Sequence, residues 1–385
     1  MINSFEELNL NLNIIEGLKK QNITLPTHIQ SIAIPLALEN KDIIAEAYTG
    51  SGKTLAFLTP IFQKINDDKR EMQAIILAPT HELVIQIESQ IKLLSQNANM
   101  KVTSLSIIGE ANIDRQIKKL KEIKPHIIVG TCGRVLDLIK KKKIAAHTIK
   151  TIVIDEADNL LDEKNIENIE GIIKSTMRDR QLMCFSATIN EKAINVAKDL
   201  MKEPTILKTT EKSLINPNIE HMYVLCEQRE KFDVLRKLIA ATNPNKSIVF
   251  TNKAYDIEKV VLKLNYHDKN TFGLYGNIDK EKRRVAIESF RNGKIHILVS
   301  SDLSARGMDV CDITHIFNLD LPRSSKEYLH RSGRTARGNA SGTSICLVTK
   351  YELNDLKKYE KVLKIKFKGK KLYRGQLQDI KENIK

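Results

Sequence analysis

The chain has no tryptophan among its 385 residues, and aromatic residues make up only 5% of it. A platform on which splayed bases could stack is therefore poorly supplied, so any nucleic-acid partner is expected to be held by phosphate and sugar contacts with little sequence preference. Cysteine is scarce as well. Cys132, Cys184, Cys226, Cys311 and Cys346 are scattered without a C-x-x-C pair, which argues against a zinc site or a disulfide framework and for a reducing compartment, the cytoplasm. No apolar run approaches the length of a bilayer span. The first residues, Met1 to Glu7, lack the basic and then apolar pattern of a secretory signal.

What is abundant is positive charge in one half. Of the 62 Lys and Arg and 47 Asp and Glu, residues 1–210 hold 28 and 26, leaving 34 against 21 for residues 211–385. Such asymmetry points to a polyanion contacted through phosphates, with plain solubility as the lesser alternative. At this length two domains are the natural expectation.

Short β-branched runs alternate with amphipathic stretches. In the first half the pattern predicts strands at 43–46, 74–78, 104–108, 126–130, 149–154, 182–185 and 205–208. Helices are expected between them, including 81–94 and 134–142. This is a βαβ alternation, hence an α/β fold with mostly parallel sheets flanked by helices. The pattern lapses around Thr209 to Pro217, the expected linker. A second alternation follows, with strands expected at 219–225, 247–250, 271–274, 296–299, 315–318 and 343–348. Residues 1–208 and 218–360 are thus two domains of one architecture. Residues 361–385, with nine basic residues against Asp379 and Glu382, are expected to form a basic helix and a flexible tail.

Two motifs carry chemistry. The first apolar run leads into Ala47-Tyr48-Thr49-Gly50-Ser51-Gly52-Lys53-Thr54, a glycine-rich loop of the phosphate-cradling kind with alanine in place of its first glycine. Lys53 would reach the outer phosphates of ATP and Thr54 would meet Mg²⁺. Where Ile152-Val153-Ile154 ends stands Asp155-Glu156-Ala157-Asp158, and a strand-end carboxylate is the other protein contact such a metal takes. Either motif alone could still be ordinary turn glycines or an acidic helix cap, the less favoured reading of each. Together, in this order and after these strands, they point to an ATPase. The second half offers His330 to Arg337, in which Arg334 and Arg337 share a face if helical. A guanidinium suits a transferring phosphoryl group.

With these residues laid out, the chain resembles the DEAD-box RNA helicases over about residues 5–350. Phe5 and Leu25-Pro26-Thr27-His28-Ile29-Gln30 resemble the adenine-reading Q motif, Ala47–Thr54 motif I, Asp155–Asp158 motif II and Ser186-Ala187-Thr188 motif III. Pro79-Thr80-His81-Glu82-Leu83, Gly109 and Thr131-Cys132-Gly133-Arg134 resemble the RNA-contact motifs of the first domain. Val249-Phe250-Thr251-Asn252, Ser301-Asp302 with Ala305-Arg306-Gly307-Met308-Asp309, and His330–Arg337 resemble motifs IV, V and VI.

The resemblance implies two tandem RecA-like domains with a cleft between them. It implies ATP held by Phe5, Gln30, the phosphate loop, Gly307 and Asp309, and Mg²⁺ held by Thr54 and Asp155. Glu156 would orient the attacking water, and Arg334 and Arg337 would act as arginine fingers. Asp158, Ser186, Thr188 and His330 would couple nucleotide state to closure. RNA would meet Pro79, Thr80, Glu82, Gly109, Thr131, Gly133, Arg134, Thr251, Asn252, Gly276, Arg283 and Ser301. The implied activity is ATP-dependent local unwinding or RNP remodelling, the alternative an ATP-dependent RNA clamp. A monomer is implied, with no membrane, working with ribosomal or RNA-degradation complexes. The chain departs from the family pattern at Asn22-Ile23, His81, Glu110, Cys132 and Lys280.

Overall fold

The computed structural model describes residues 4–109, 111–208, 215–275, 278–302, 310, 312–336 and 340–380. It divides into two compact units, Met1–Glu211 and Lys212–Lys385.

The first unit is built on seven parallel strands: β1 (Ile43–Glu46), β2 (Ala74–Leu77), β3 (Ser104–Ile107), β4 (Ile127–Gly130), β5 (Thr151–Asp155), β6 (Gln181–Ser186) and β7 (Thr205–Lys208). Their order is β3-β4-β2-β5-β6-β1-β7. The central strands are apolar at nearly every position because both faces are covered. Ala74, Ile76, Val153, Met183 and Phe185 enter one core. Ile75, Leu77, Ile152, Ile154 and Cys184 enter the other. The covering helices are α1 (Leu12–Lys19), α2 (His28–Leu38), α3 (Lys53–Lys64), α4 (His81–Asn97), α5 (Ile113–Ile123), α6 (Cys132–Lys140), α7 (Ala157–Leu160), α8 (Ile166–Ser175) and α9 (Glu191–Leu200). Local chemistry starts several of them. Thr80 Oγ1, Asn112 Oδ1 and Asn190 Oδ1 accept the otherwise unpaired N–H groups of α4, α5 and α9.

The second unit repeats the plan with β8 (Ile219–Leu225), β9 (Ser247–Phe250), β10 (Thr271–Leu274), β11 (Ile297–Ser300), β12 (His315–Asn318) and β13 (Gly342–Val348). Its helices are α10 (Lys231–Thr242), α11 (Ala254–Tyr266), α12 (Lys280–Arg291), α13 (Ser325–Ser332) and α14 (Leu353–Leu363). Val249, Val299 and Phe317 face one core, and Ile248, Leu298 and Ile316 the other.

Two expectations are corrected. The stretch 361–380 is not the expected basic helix, because α14 ends at Leu363 and two strands follow, β14 (Lys368–Tyr373) and β15 (Gln376–Asp379), while the end of the expected tail, 381–385, lies outside the described residues. β14 pairs parallel with β8 and antiparallel with β15, giving the order β10-β11-β9-β12-β13-β8-β14-β15. The hairpin is anchored by Leu372 and Leu377, which pack on the core beneath the sheet. The expected linker is also shorter at its far end, since Ile215 and Asn216 are buried in the second unit and Asn216 Nδ2 donates to the Ala336 carbonyl. Among the described residues no helix is long and apolar enough to cross a membrane.

Candidate functional site

All strands of the first sheet are parallel, so the loops after β1, β5 and β6 open at one edge, the carboxyl edge where α/β sheets place their ligands. The glycine-rich loop follows β1. Gly50 and Gly52 have φ of 88° and 92°, a left-handed backbone that favours glycine. A Cβ on Gly52 would also lie 2.5 Å from Gln30 Nε2. The Gln30 amide is engaged at both ends. Its Oε1 accepts from the Thr27 N–H at 2.9 Å as part of a capping box, and its Nε2 donates to the Gly52 carbonyl at 3.1 Å. Gln30 therefore braces the phosphate loop directly. Phe5, by contrast, is 1% exposed and packs in the first core.

Lys53 opens α3 and its ammonium donates to the carbonyls of Ala47 at 2.6 Å and Tyr48 at 3.0 Å. Burial holds it below the usual lysine range, opposed by the charges of Asp155, Glu156 and Asp158. Asp155 is the last residue of β5 and is buried. That burial, with Glu156 beside it, pushes its carboxyl up to about 7 despite Lys53. Three carboxylates thus face one ammonium, an excess of negative charge that a hard cation would relieve. Asp155 and Thr54 are hard oxygen donors of the kind Mg²⁺ takes, and Mg²⁺ commonly relies on one or two carboxylates plus phosphate oxygens. Among the described residues no group of three or more His, Cys, Asp or Glu could hold a metal by itself. The buried Ser51 hydroxyl, without a hydrogen-bond partner, points to the same use of the loop.

Glu156 sits in the left-handed region at φ 50°, ψ 50°, an uncommon conformation for a non-glycine residue. Its N–H donates to Asp155 Oδ1 at 3.0 Å, and its Oε2 accepts from Asn159 Nδ2 at 3.1 Å. Asp158 ties the acidic strand end to the end of β6, accepting from Ser186 Oγ at 2.6 Å and Thr188 Oγ1 at 3.0 Å. The residues expected to couple nucleotide state to closure in the first unit, Asp158, Ser186 and Thr188, are therefore physically joined.

The loops after β2, β3 and β4 lie beside one another at the same carboxyl edge and bring the expected first-unit RNA residues together. Thr80 caps α4, and Thr131 is the N-cap of α6. Arg134 clamps the intervening loop by donating to the Ala111 carbonyl at 2.9 Å and to the Gly109 carbonyl. Gly133 has open space where a side chain would stand. Pro79 and Glu82 flank the start of α4.

In the second unit the sequence pattern understated one residue. Arg331, in α13, is 1% exposed, and its guanidinium grips Asp302 through two bonds of 2.6 Å. It also donates to Asn252 Oδ1 at 2.7 Å, to the Asp320 carbonyl at 2.9 Å and to Asn318 Oδ1 at 3.3 Å. The Phe250 ring lies 5.1 Å from its carbon centre. One side chain thus joins the segments after β9, β11 and β12. The available signal was Arg331 itself, directly after His330 in the same motif as Arg334 and Arg337. Thr251 and Asn252, expected on RNA, belong to this framework: Thr251 is buried and donates to Asp320 Oδ2 at 2.8 Å, and Asn252 Nδ2 donates to the Leu321 carbonyl at 3.0 Å. Ser301 follows β11, Arg283 lies on α12, and His330 and Arg334 lie at the end of α13 and just beyond. Gly276, Gly307, Asp309 and Arg337, with Glu110, lie outside the described residues.

Comparison with known proteins agrees with this arrangement. Residues 27–196 match the DEAD/DEAH box helicase family model and residues 230–339 the helicase conserved C-terminal domain. The chain is 40% identical to the DEAD-box ATP-dependent RNA helicase CshC of Bacillus cereus over 358 residues, 92% of this chain and 90% of that protein. It is 36% identical to the DEAD-box ATP-dependent RNA helicase CshA of Geobacillus kaustophilus over 368 residues, 96% of this chain and 78% of that one. Among solved structures, S. cerevisiae Dbp5 bound to RNA and ADP BeF3 matches with a TM-score of 0.86 and 30% identity, covering 95% of each chain. Two parallel-sheet units, a glycine-rich phosphate loop and an Asp-Glu-Ala-Asp strand end thus have one explanation: the chain belongs to the DEAD-box ATP-dependent RNA helicases.

Proposed function

We propose that this chain couples ATP hydrolysis to RNA binding and to local opening of short duplexes or remodelling of RNA–protein particles. The observation that carries the reading is the cluster of half-buried Lys53, Glu156 and Asp158 around buried Asp155, beside a phosphate loop whose backbone favours glycine. Lys53 would exchange two neutral carbonyls for the charged oxygens of the outer phosphates. Thr54 and Asp155 would hold Mg²⁺, which when bound draws charge off the transferring phosphoryl group. Glu156, presented by its left-handed backbone and steadied by Asn159, would orient the attacking water and take its proton. Arg334 and Arg337 would supply guanidinium charge to the phosphoryl group in flight. Asp158, through Ser186 and Thr188, would report nucleotide state to the rest of the unit.

RNA backbone would lie along the loops after β2, β3 and β4, where α4 and α6 begin. Arg331 would keep the second-unit motifs in register without touching either ligand. A monomer working on ribosomal or RNA-degradation complexes belongs to the same reading; its place in the cytoplasm is supported by the free, buried Cys132, Cys184 and Cys346, whose thiols burial pushes up to about 12. The clamp alternative has no structural observation in its favour.

The test is Glu156→Gln. RNA-stimulated phosphate release should fall by about 10² to 10⁴, the range for loss of a general base, with nucleotide affinity kept. Turnover at the parental rate would remove Glu156 from its role.

A further inference from the structure

The hairpin that ends the described chain is more than a lid on the second sheet. Tyr373 pairs with Gln376 across a two-residue loop in which Arg374 and Gly375 have φ of 48° and 77°. Positive φ at both positions is the type I′ turn, the tight hairpin connection whose twist matches its strands. Side-chain alternation sorts the two faces. Leu372 and Leu377 pack inward on the core, so Lys371, Tyr373, Gln376 and Gln378 share the outward face. Tyr373 is 49% exposed, and the Arg374 guanidinium lies 5.3 Å from its ring centre.

Position and charge then narrow the partner. β14 runs parallel to β8 with Lys370 opposite Val224. β8 ends one residue later, whereas β14 continues to Tyr373, so the tip overhangs the sheet by about 7 Å. It overhangs the carboxyl edge, the edge from which Asn252 and Ser301 follow β9 and β11. Four strand spacings, about 19 Å, separate β14 from β9. Residues 361–380 hold seven Lys and Arg against one acid, Asp379. Lys370 pairs with Asp379 and Lys368 with Glu220, both away from the tip. Lys371 has no carboxylate partner among the described residues.

We propose that the Tyr373–Arg374 hairpin is an auxiliary single-stranded RNA site, stacking one base on Tyr373 while Lys371 and Arg374 take the flanking phosphates. An aromatic face beside two cations is the combination such strands favour, and the glutamines offer amide contacts to base edges. The site lengthens the RNA footprint along the second sheet and supplies locally the stacking surface that the composition as a whole lacks. It rests on RNA being the polymer bound, as proposed above.

The test is an anisotropy titration of full-length protein, with a non-hydrolysable ATP analogue, against two labelled oligouridylates. One is short; the other runs about 19 Å further. In Lys371→Thr/Tyr373→Thr/Arg374→Asn, the long RNA should bind about tenfold more weakly. Its log-affinity against log-salt slope should be shallower by about 1.4, for two cations lost to a single strand. Short-RNA affinity and RNA-saturated ATP turnover should be unchanged. Arg374→Asn alone places Asn-Gly in the turn, which keeps the hairpin, and should lower the slope by about 0.7.

Identical long-RNA affinity and slope in both variants overturns the inference. So does equal loss for short and long RNA, or dissociation of a dimer with RNA affinity unmoved, which would make the open edge of β15 a self-association surface. Parental protein that binds neither RNA would instead defeat the RNA reading itself.

Discussion

Each unit brings a cation to the carboxyl edge of a parallel sheet, and the two are held in opposite ways. Lys53 rests on two backbone carbonyls and faces more negative charge than it can balance. Arg331 is saturated, with two bonds to Asp302, two to asparagine side chains and one to a backbone carbonyl. A lysine whose hydrogen bonds go only to neutral carbonyls can be drawn to a phosphate at modest cost. An arginine bound on every side cannot move without unpairing its neighbours. The first arrangement suits chemistry and the second suits framing, so residues of similar charge at similar places in two copies of one architecture do different work.

The most forceful way to break this contrast is Arg331→Ala. It leaves Asp302, Asn252 and Asn318 without their partner and should cost about 3–5 kcal/mol, the range for opening a buried ion pair. Hydrogen exchange read by mass spectrometry should show protection collapsing in β9, β11 and β12 while β1, β5 and β6 keep theirs. Loss shared equally by both units would mean that Arg331 does not frame the second one alone.

Acid and alkali sharpen the contrast next. His221 is bonded to the Tyr328 hydroxyl at 2.7 Å, and burial pulls its pKa down to about 4 against the opposing charge of Glu220. The unfolded chain takes up this proton near pH 6.5 and the folded one does so only near 4, so the second unit loses stability as pH falls between them. The full loss is about 3 kcal/mol. Lys64 in the first unit, pulled by burial to about 8 from 10.5, acts at the other end, adding stability as pH rises from 8 to 10.5. Denaturant midpoints followed by exchange in each unit should show the two limbs separately. An acid limb that survives His221→Gln would assign it to another group.

The smallest expected effect concerns the Asp158 link. Ser186→Ala and Thr188→Ala should each cost about 1 kcal/mol. Because both hydroxyls share one carboxylate, the double variant should depart from the sum. Strict additivity in urea titrations would show that the two bonds do not act as a unit.

The strands were legible because the period of apolar residues is itself the cause of a doubly covered sheet: Ile152-Val153-Ile154 can only be a buried strand, and its end at Asp155 was visible for the same reason. The phosphate loop was legible because Gly50 and Gly52 mark backbone that favours glycine. The hairpin at β14 and β15 was hidden by its lysines, since one strand face is solvated and its inward anchors on the core are Leu372 and Leu377. Arg331 was hidden for a different reason. A guanidinium's partners, here Asn252, Asp302, Asn318 and Asp320, are assembled by the fold from distant stretches of chain and leave no local spacing to read.

The left-handed backbone at Glu156 has an evolutionary edge to it. A glutamate codon becomes a glycine codon by one transition in its middle base, and glycine would occupy that conformation without steric objection. With Glu156 in the role proposed above, a sturdier but inert protein would lie a single nucleotide away, one that stability alone would favour and turnover would reject.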